Sequence, residues 1–361
     1  MFTPSRLTLA RKRRGFSKIA LAGLLGVDVR SITAYEDGEY QPSTEIRLNL
    51  SRVLAFPRYF FEGAEIELPK TETASFRSLS KRTASQRDAA LAAGALGFHL
   101  TDWIELRFSL PAPMLPRLDQ LDPEGASIAL RQHLGLGELP IKHVIKLLEA
   151  HGVRFFALGD IADEIDAFSM WRDDRPFVFL NTSKSAERSR FDTAHELGHL
   201  VLHRQGSPEG RQAEEEANAF ASAFLLPERG LKGSLPGMIT LPMLMKLKRH
   251  WGVSAFAMAY RLNRIGALTE WHYRNLCIEL AKKGYRSSEP DGGPRETSAV
   301  LDKITAMLRE RGVGLAQLAA ELDLPVEELN GLMLGLTTVV LEGGHGGESS
   351  QRPGARLRVV K

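Results

Sequence analysis

The sequence predicts a mostly α chain with a small antiparallel sheet, an α+β protein of more than one compact unit. Apolar residues recur at helical spacing along most of its 361 residues. Strand-type runs rich in aromatic and β-branched residues are few: one around Val153–Leu158, and "IDAFSMWR" and "RPFVFLN" parted by the turn "DDR". The length also exceeds what one hydrophobic core organises, so two or three domains are expected. With 43% hydrophobic and 25% charged residues, neither a disordered nor a fibrous chain fits.

A single cysteine, Cys277, closes no intrachain disulfide, and it falls on a helical pattern as a small buried hydrophobe. No run of about 18 apolar residues offers a membrane span, and the N-terminus lacks the apolar core of a signal peptide. A cytoplasmic protein with no membrane partner is expected.

The net charge of +3 is unevenly spread. Residues 1–60 carry ten Lys/Arg against five acids, a local +5 that leaves −2 for the remainder. A basic head on a nearly neutral body calls for an anionic partner. Within this head a short helix over 6–14 precedes a second one capped by Ser17, with Ile19, Leu21, Ala22, Leu24 and Leu25 as its buried stripe. Gly26 stands where a helix ends in the left-handed conformation, and Asp28 caps a third helix that turns Ile32 and Tyr35 inward. Through "LAGLLGV", "ITAYEDGEYQPS" and a closing pair of helices over 43–60, residues 1–64 resemble the repressor-like (Xre/Cro) helix-turn-helix family, a five-helix domain. The resemblance implies an operator in double-stranded DNA. Lys18, Val29, Arg30, Thr33 and Ala34 would then face the major groove, and Lys12, Arg14 and Ser31 the phosphates. Lys18 stands where the family often has Gln.

Residues 65–85 read as a polar linker, followed by a long Ala- and Leu-rich helix over 86–108 that "LPAPMLP" stops. Two more helices lead into the first strand, and His99, His133, His143 and His151 fall singly on this stretch as packed or surface residues rather than ligands.

The strand pair runs directly into "RSRFDTAHELGHLVLH", which contains His195-Glu196-Leu197-Gly198-His199, an H-E-x-x-H motif. Residues four apart share a helix face, so His195 and His199 can bind one metal while Glu196 projects beside it as general base. Gly198 leaves room for close packing. A third ligand is needed. His203 lies roughly 12 Å along the axis from His195, too far to share one ion, and the H-x-x-G-x-x-H continuation is absent. The carboxylates of "RQAEEEANAFASAFLLPE" remain: Glu216, beside Ala217 at the edge of the buried face, is the expected ligand, with Glu214 and Glu215 further round toward solvent. For the oxyanion, His203, Arg190 and Tyr260 are open alternatives.

"RFDTAHELGHLVLH" followed by "EEEANAFASAFLLP" resembles the ImmA/IrrE family of metallo-endopeptidases, and the likeness runs from "SFRSLS" near residue 75 to "GYRSSEP" at 284–290. That resemblance implies a gluzincin-like peptidase domain over 86–290, one Zn²⁺ per chain held by His195, His199 and Glu216, and Glu196 as general base. Other divalent ions suit the same donors. Relatives of this kind relieve repression by cutting a repressor of the helix-turn-helix type, which implies a protein substrate of the Xre-repressor class and a role in stress, phage or toxin-antitoxin regulation. The alternative is a DNA-binding repressor or antitoxin whose peptidase-like domain is a metal-stabilised sensor without turnover.

Further helices are expected over 240–285, with Trp251, Met258 and Tyr260 in the core. A helical C-terminal region over 297–340 serves as a packing or homodimerisation cap, and a Gly/Ser-rich disordered tail follows over 342–361.

Overall fold

The computed structural model of the chain describes residues 1–69, 74–76, 83–159, 165–204, 210–235 and 237–338. The expected tail over 342–361 lies outside the described residues.

The head is built from four α-helices and a 3₁₀ turn: α1 (Pro4–Arg13), α2 (Lys18–Leu25), α3 (Val29–Asp37), α4 (Thr44–Leu54) and Arg58–Glu62. Local chemistry sets each boundary. Ser17, Asp28 and Ser43 accept from the backbone N–H of Ala20, Arg30 and Ile46, and Gly26 ends α2 at φ 67°. Leu7, Leu21, Ile32, Leu50, Leu54, Phe56 and Phe60 close the core. Ile19 and Leu24 do not join it; they stand 72% and 56% exposed, because only the Leu21, Ala22 and Leu25 stripe of α2 faces α3 and α4.

Next come β1 (Ala74–Phe76) and the long helix α5 (Ala84–Glu105). Thr83 and Gln86 form a capping box that starts α5. The linker expected over 65–85 therefore contains a strand and the first turn of this helix. α6 (Pro123–His133) and α7 (Val144–Ala150) lead into β2 (Arg154–Ala157), β3 (Ala167–Arg172) and β4 (Arg175–Leu180). The β3–β4 hairpin turns at Asp173 and Asp174, φ 49° and 61°, the two left-handed residues that match the twist of a tight hairpin.

The strands lie in the order β1-β3-β4-β2. β1 and β4 each run antiparallel to β3, whereas β2 pairs parallel with β4. The sheet is thus mixed, not antiparallel throughout. The reason is topological: β3 reverses the chain between β2 and β4, and β4 inserts between the other two. Phe156, Phe168, Phe177 and Phe179 cover one face, and Phe98 of α5 packs edge-on to Phe177 with centroids 4.5 Å apart.

α8 (Ala186–Leu202) and α9 (Arg211–Leu225) follow the sheet, with α10 (Glu228–Gly233), α11 (Leu241–Trp251), α12 (Ala255–Arg264) and α13 (Glu270–Lys282) behind them. Trp251 and Met258 are buried as expected, but Tyr260 is 48% exposed and Cys277 only half-buried. The chain closes with α14 (Ala299–Glu310), α15 (Leu315–Glu321) and α16 (Val326–Met333).

The head is docked, not loose. Arg13 Nε and Arg14 Nη1 each reach the buried Glu328 carboxylate of α16 at 2.6 Å, Lys12 meets Asp88 of α5 at 3.1 Å, and Ser85 donates to the Gly15 carbonyl at 2.8 Å. Among the described residues no helix is long and apolar enough to cross a membrane.

Candidate metal centre

Ser185 caps α8 by accepting from the Arg188 N–H, and the helix carries His195, Glu196 and His199 into a wholly buried stretch beneath β3 and β4. The second helix comes close because of Gly198. A Cβ there would stand 3.0 Å from a Phe220 ring carbon and 3.3 Å from Ala217 Cα, so glycine lets α9 settle against α8 without either neighbour giving way.

That approach delivers a carboxylate, though not the expected one. Glu214 Oε2 lies 3.4 Å from His195 Nε2 and Glu214 Oε1 3.3 Å from His199 Nε2, while the two imidazole nitrogens are 3.1 Å apart. Glu216 turns away and accepts from His203 Nε2 at 3.0 Å. The expectation of Glu216 as third ligand therefore gives way to Glu214. From Ala217 at the centre of the buried face, Glu214 sits about 60° round the helix and Glu216 about 100° on the opposite side, at 100° per residue.

Proton placement shows what the three atoms face. His195 Nδ1 meets Asn218 Oδ1, an acceptor, at 3.2 Å and must carry the ring proton. His203 donates through Nε2 to Glu216, so its Nδ1 accepts, at 2.9 Å, from His199 Nδ1. Both Nε2 atoms that converge on Glu214 are then bare lone pairs, a cluster of acceptors that a cation satisfies. The spacing fits as well. Four-coordinate zinc with bonds of about 2.0–2.1 Å separates its ligand atoms by about 3.3 Å. Burial pushes the Glu214 carboxyl up; with the two histidines protonated at Nε2 instead, their hydrogen bonds and charge would outweigh this and bring it down to about 2. Among the described residues this is the one such cluster.

Glu196 lies wholly buried beside the pair, and the Ser169 hydroxyl of β3 donates to its carboxylate at 2.8 Å and to its backbone carbonyl at 3.2 Å. Ser169, Asn218 and Glu214 were all missed in the sequence. Only Glu214 had a signal there, its angle on the helix. Of the oxyanion alternatives, Arg190 is committed to Glu296 and the Ile141 carbonyl, and His203 to the relay just described. His99, His133 and His151 bond backbone carbonyls and His143 caps α7; none of the four belongs to the cluster of His195, His199 and Glu214.

In the head, Arg30 is exposed, while Lys18, Val29, Ser31 and Thr33 are partly exposed, with Lys18 Nζ 3.4 Å from Thr33 Oγ1. Three residues expected at DNA have cover or partners within the protein. Ala34 is buried, because its side of α3 packs into the head, and Lys12 and Arg14 are taken up by Asp88 and Glu328.

A two-histidine, one-carboxylate donor set on adjacent helices, with a further carboxylate alongside, suits a hydrolytic metal centre. Residues 148–263 match the Peptidase_M78 family, described as the IrrE N-terminal-like domain, which puts a metallopeptidase-type domain at this site. No curated protein matches the chain.

Proposed function

We propose that the protein is a cytoplasmic regulator in which a DNA-binding head is joined to a zinc endopeptidase that cuts a repressor-type protein. The convergence of His195, His199 and Glu214, with Glu196 held beside them by Ser169, carries the peptidase reading. A divalent ion there supplies Lewis acidity for the scissile carbonyl and for the attacking water. Glu196 accepts the proton of that water and passes it to the leaving amine. Its burial under β3, away from bulk water, favours this exchange, and Ser169 holds one of its carboxylate oxygens in place. Asn218 and the His203–Glu216 pair hold the two imidazoles in the tautomer that presents Nε2. In the head, the local charge of +5 and the exposed Arg30 at the start of α3 support operator binding.

The test combines metal analysis with cleavage. Purified protein and its Glu196→Gln variant should each hold about one zinc, and only the unaltered protein should cut a repressor encoded in the same genome. Absence of metal from both would remove the site. An Arg30→Ala variant should lose at least tenfold in operator affinity in a gel-shift titration while keeping its metal.

A further inference from the structure

The sheet edge nearest the candidate centre is already covered by the chain itself. α8 lies against β3 and β4, and Ser169 of β3 is the residue that holds Glu196. The inner neighbour of β3 is β4; its outer neighbour is β1, with Ala74 opposite Met170, Ser75 opposite Ser169 and Phe76 opposite Phe168. The backbone of Ser75 thus runs one interstrand spacing, about 4.8 Å, from the residue that touches the general base.

A peptidase must hold its substrate extended. Adding that substrate to a sheet edge supplies hydrogen bonds from the backbone whatever its side chains. The opposite edge, β2, does not serve, because α8 packs on β3 and β4 and β2 lies beyond them. We infer that residues 74–76 are a resident stand-in for substrate, and that an extended peptide reaches Glu196 only by displacing β1 from β3. This rests on the peptidase reading above.

Two features of the chain fit this role. β1 has three residues, short against the usual five or six, so it contributes few ladder bonds and leaves readily. It is also presented by a segment anchored on the head at both ends. Arg6 Nε donates to the Ala64 carbonyl and Thr3 Oγ1 to the Gly63 carbonyl, each at 2.6 Å, and Ser85 holds the start of α5 on Gly15. Such a tether keeps a weak strand at high effective concentration. The edge is therefore closed at rest, yet open to competition.

The test locks the strand in place. Directly opposite residues of antiparallel strands have Cα atoms about 4.5–5.5 Å apart, within the reach of a disulfide. Full-length protein carrying Ala74→Cys and Met170→Cys, with Cys277→Ala and Glu196→Gln, is titrated with a fluorescent peptide copying residues 70–80, KTETASFRSLS. The reduced protein should bind the peptide, the oxidised protein at least tenfold more weakly, and reductant should restore binding. Equal binding in both states, or binding in neither, overturns the inference. Ser75→Pro alone, which removes a backbone N–H from β1, should tighten peptide binding severalfold by raising the open fraction; unchanged affinity counts equally against it. Turnover is not needed in either titration. Failure of the unaltered enzyme to cleave would thus strike the peptidase reading separately.

Discussion

Glu214 and Glu216 stand two residues apart on α9 yet have different tasks, one facing the histidine pair and one steadying His203. Their variants should differ accordingly. Glu214→Ala should abolish stoichiometric zinc, whereas Glu216→Ala and His203→Ala should keep it with affinity about 10–100-fold weaker, the usual cost of losing an outer partner of a ligating histidine. Chelator competition reads both. If Glu216→Ala loses all metal and Glu214→Ala keeps it, the assignment is reversed. His195, Glu196 and His199 were legible in the sequence because their relation is set inside one helix by a spacing of four. Glu214 was within reach of the same geometry. Asn218 and Ser169 were not, since their roles exist only once α9 and β3 lie against α8.

Between elements, closeness has to be permitted before it can be used. Gly198→Ala should force α8 and α9 apart, cost about 1–3 kcal/mol as other overpacked sites do, and weaken zinc binding together with stability. Thermal melts with and without zinc measure both, and an unchanged melting point would show that Phe220 moves aside freely. Glu296 ties α7 to α8 by accepting from the Ile145 N–H at the start of α7 and from Arg190 of α8. Burial pushes its carboxyl up, but the neighbouring His143, the Arg190 charge and the Ile145 N–H together hold it below the ordinary carboxylate value. Its contribution is therefore complete above about pH 4.3, the unfolded value, and is lost as pH falls toward the folded one. Denaturant melts at pH 3–6 should show a fall in stability at the acid end that Glu296→Gln flattens. The β3–β4 hairpin was legible from its two strand runs and the aspartate turn. β1 was not, because three polar-flanked residues become a strand only through the edge that β3 offers.

Over the whole molecule, the head and the peptidase-type body form one packed unit, held by Glu328, whose side chain is 3% exposed between Arg13 and Arg14. Removing one partner of a buried ion pair costs about 3–5 kcal/mol. Glu328→Ala should accordingly loosen the head, seen as faster proteolysis between residues 60 and 90 at unchanged zinc content. Equal cleavage rates would mean that the α1–α5 contact alone suffices. The helical character and the basic head were readable from pattern and composition, but this docking was not, since Arg13 and Glu328 are hundreds of positions apart. It also separates covalent continuity from cohesion. Were the peptide chain severed between Gly63 and Thr83, both pieces would remain bound through the contacts of α1 with α5 and α16. A nicked molecule would run as two bands once denatured, yet travel through a sizing column as a single particle.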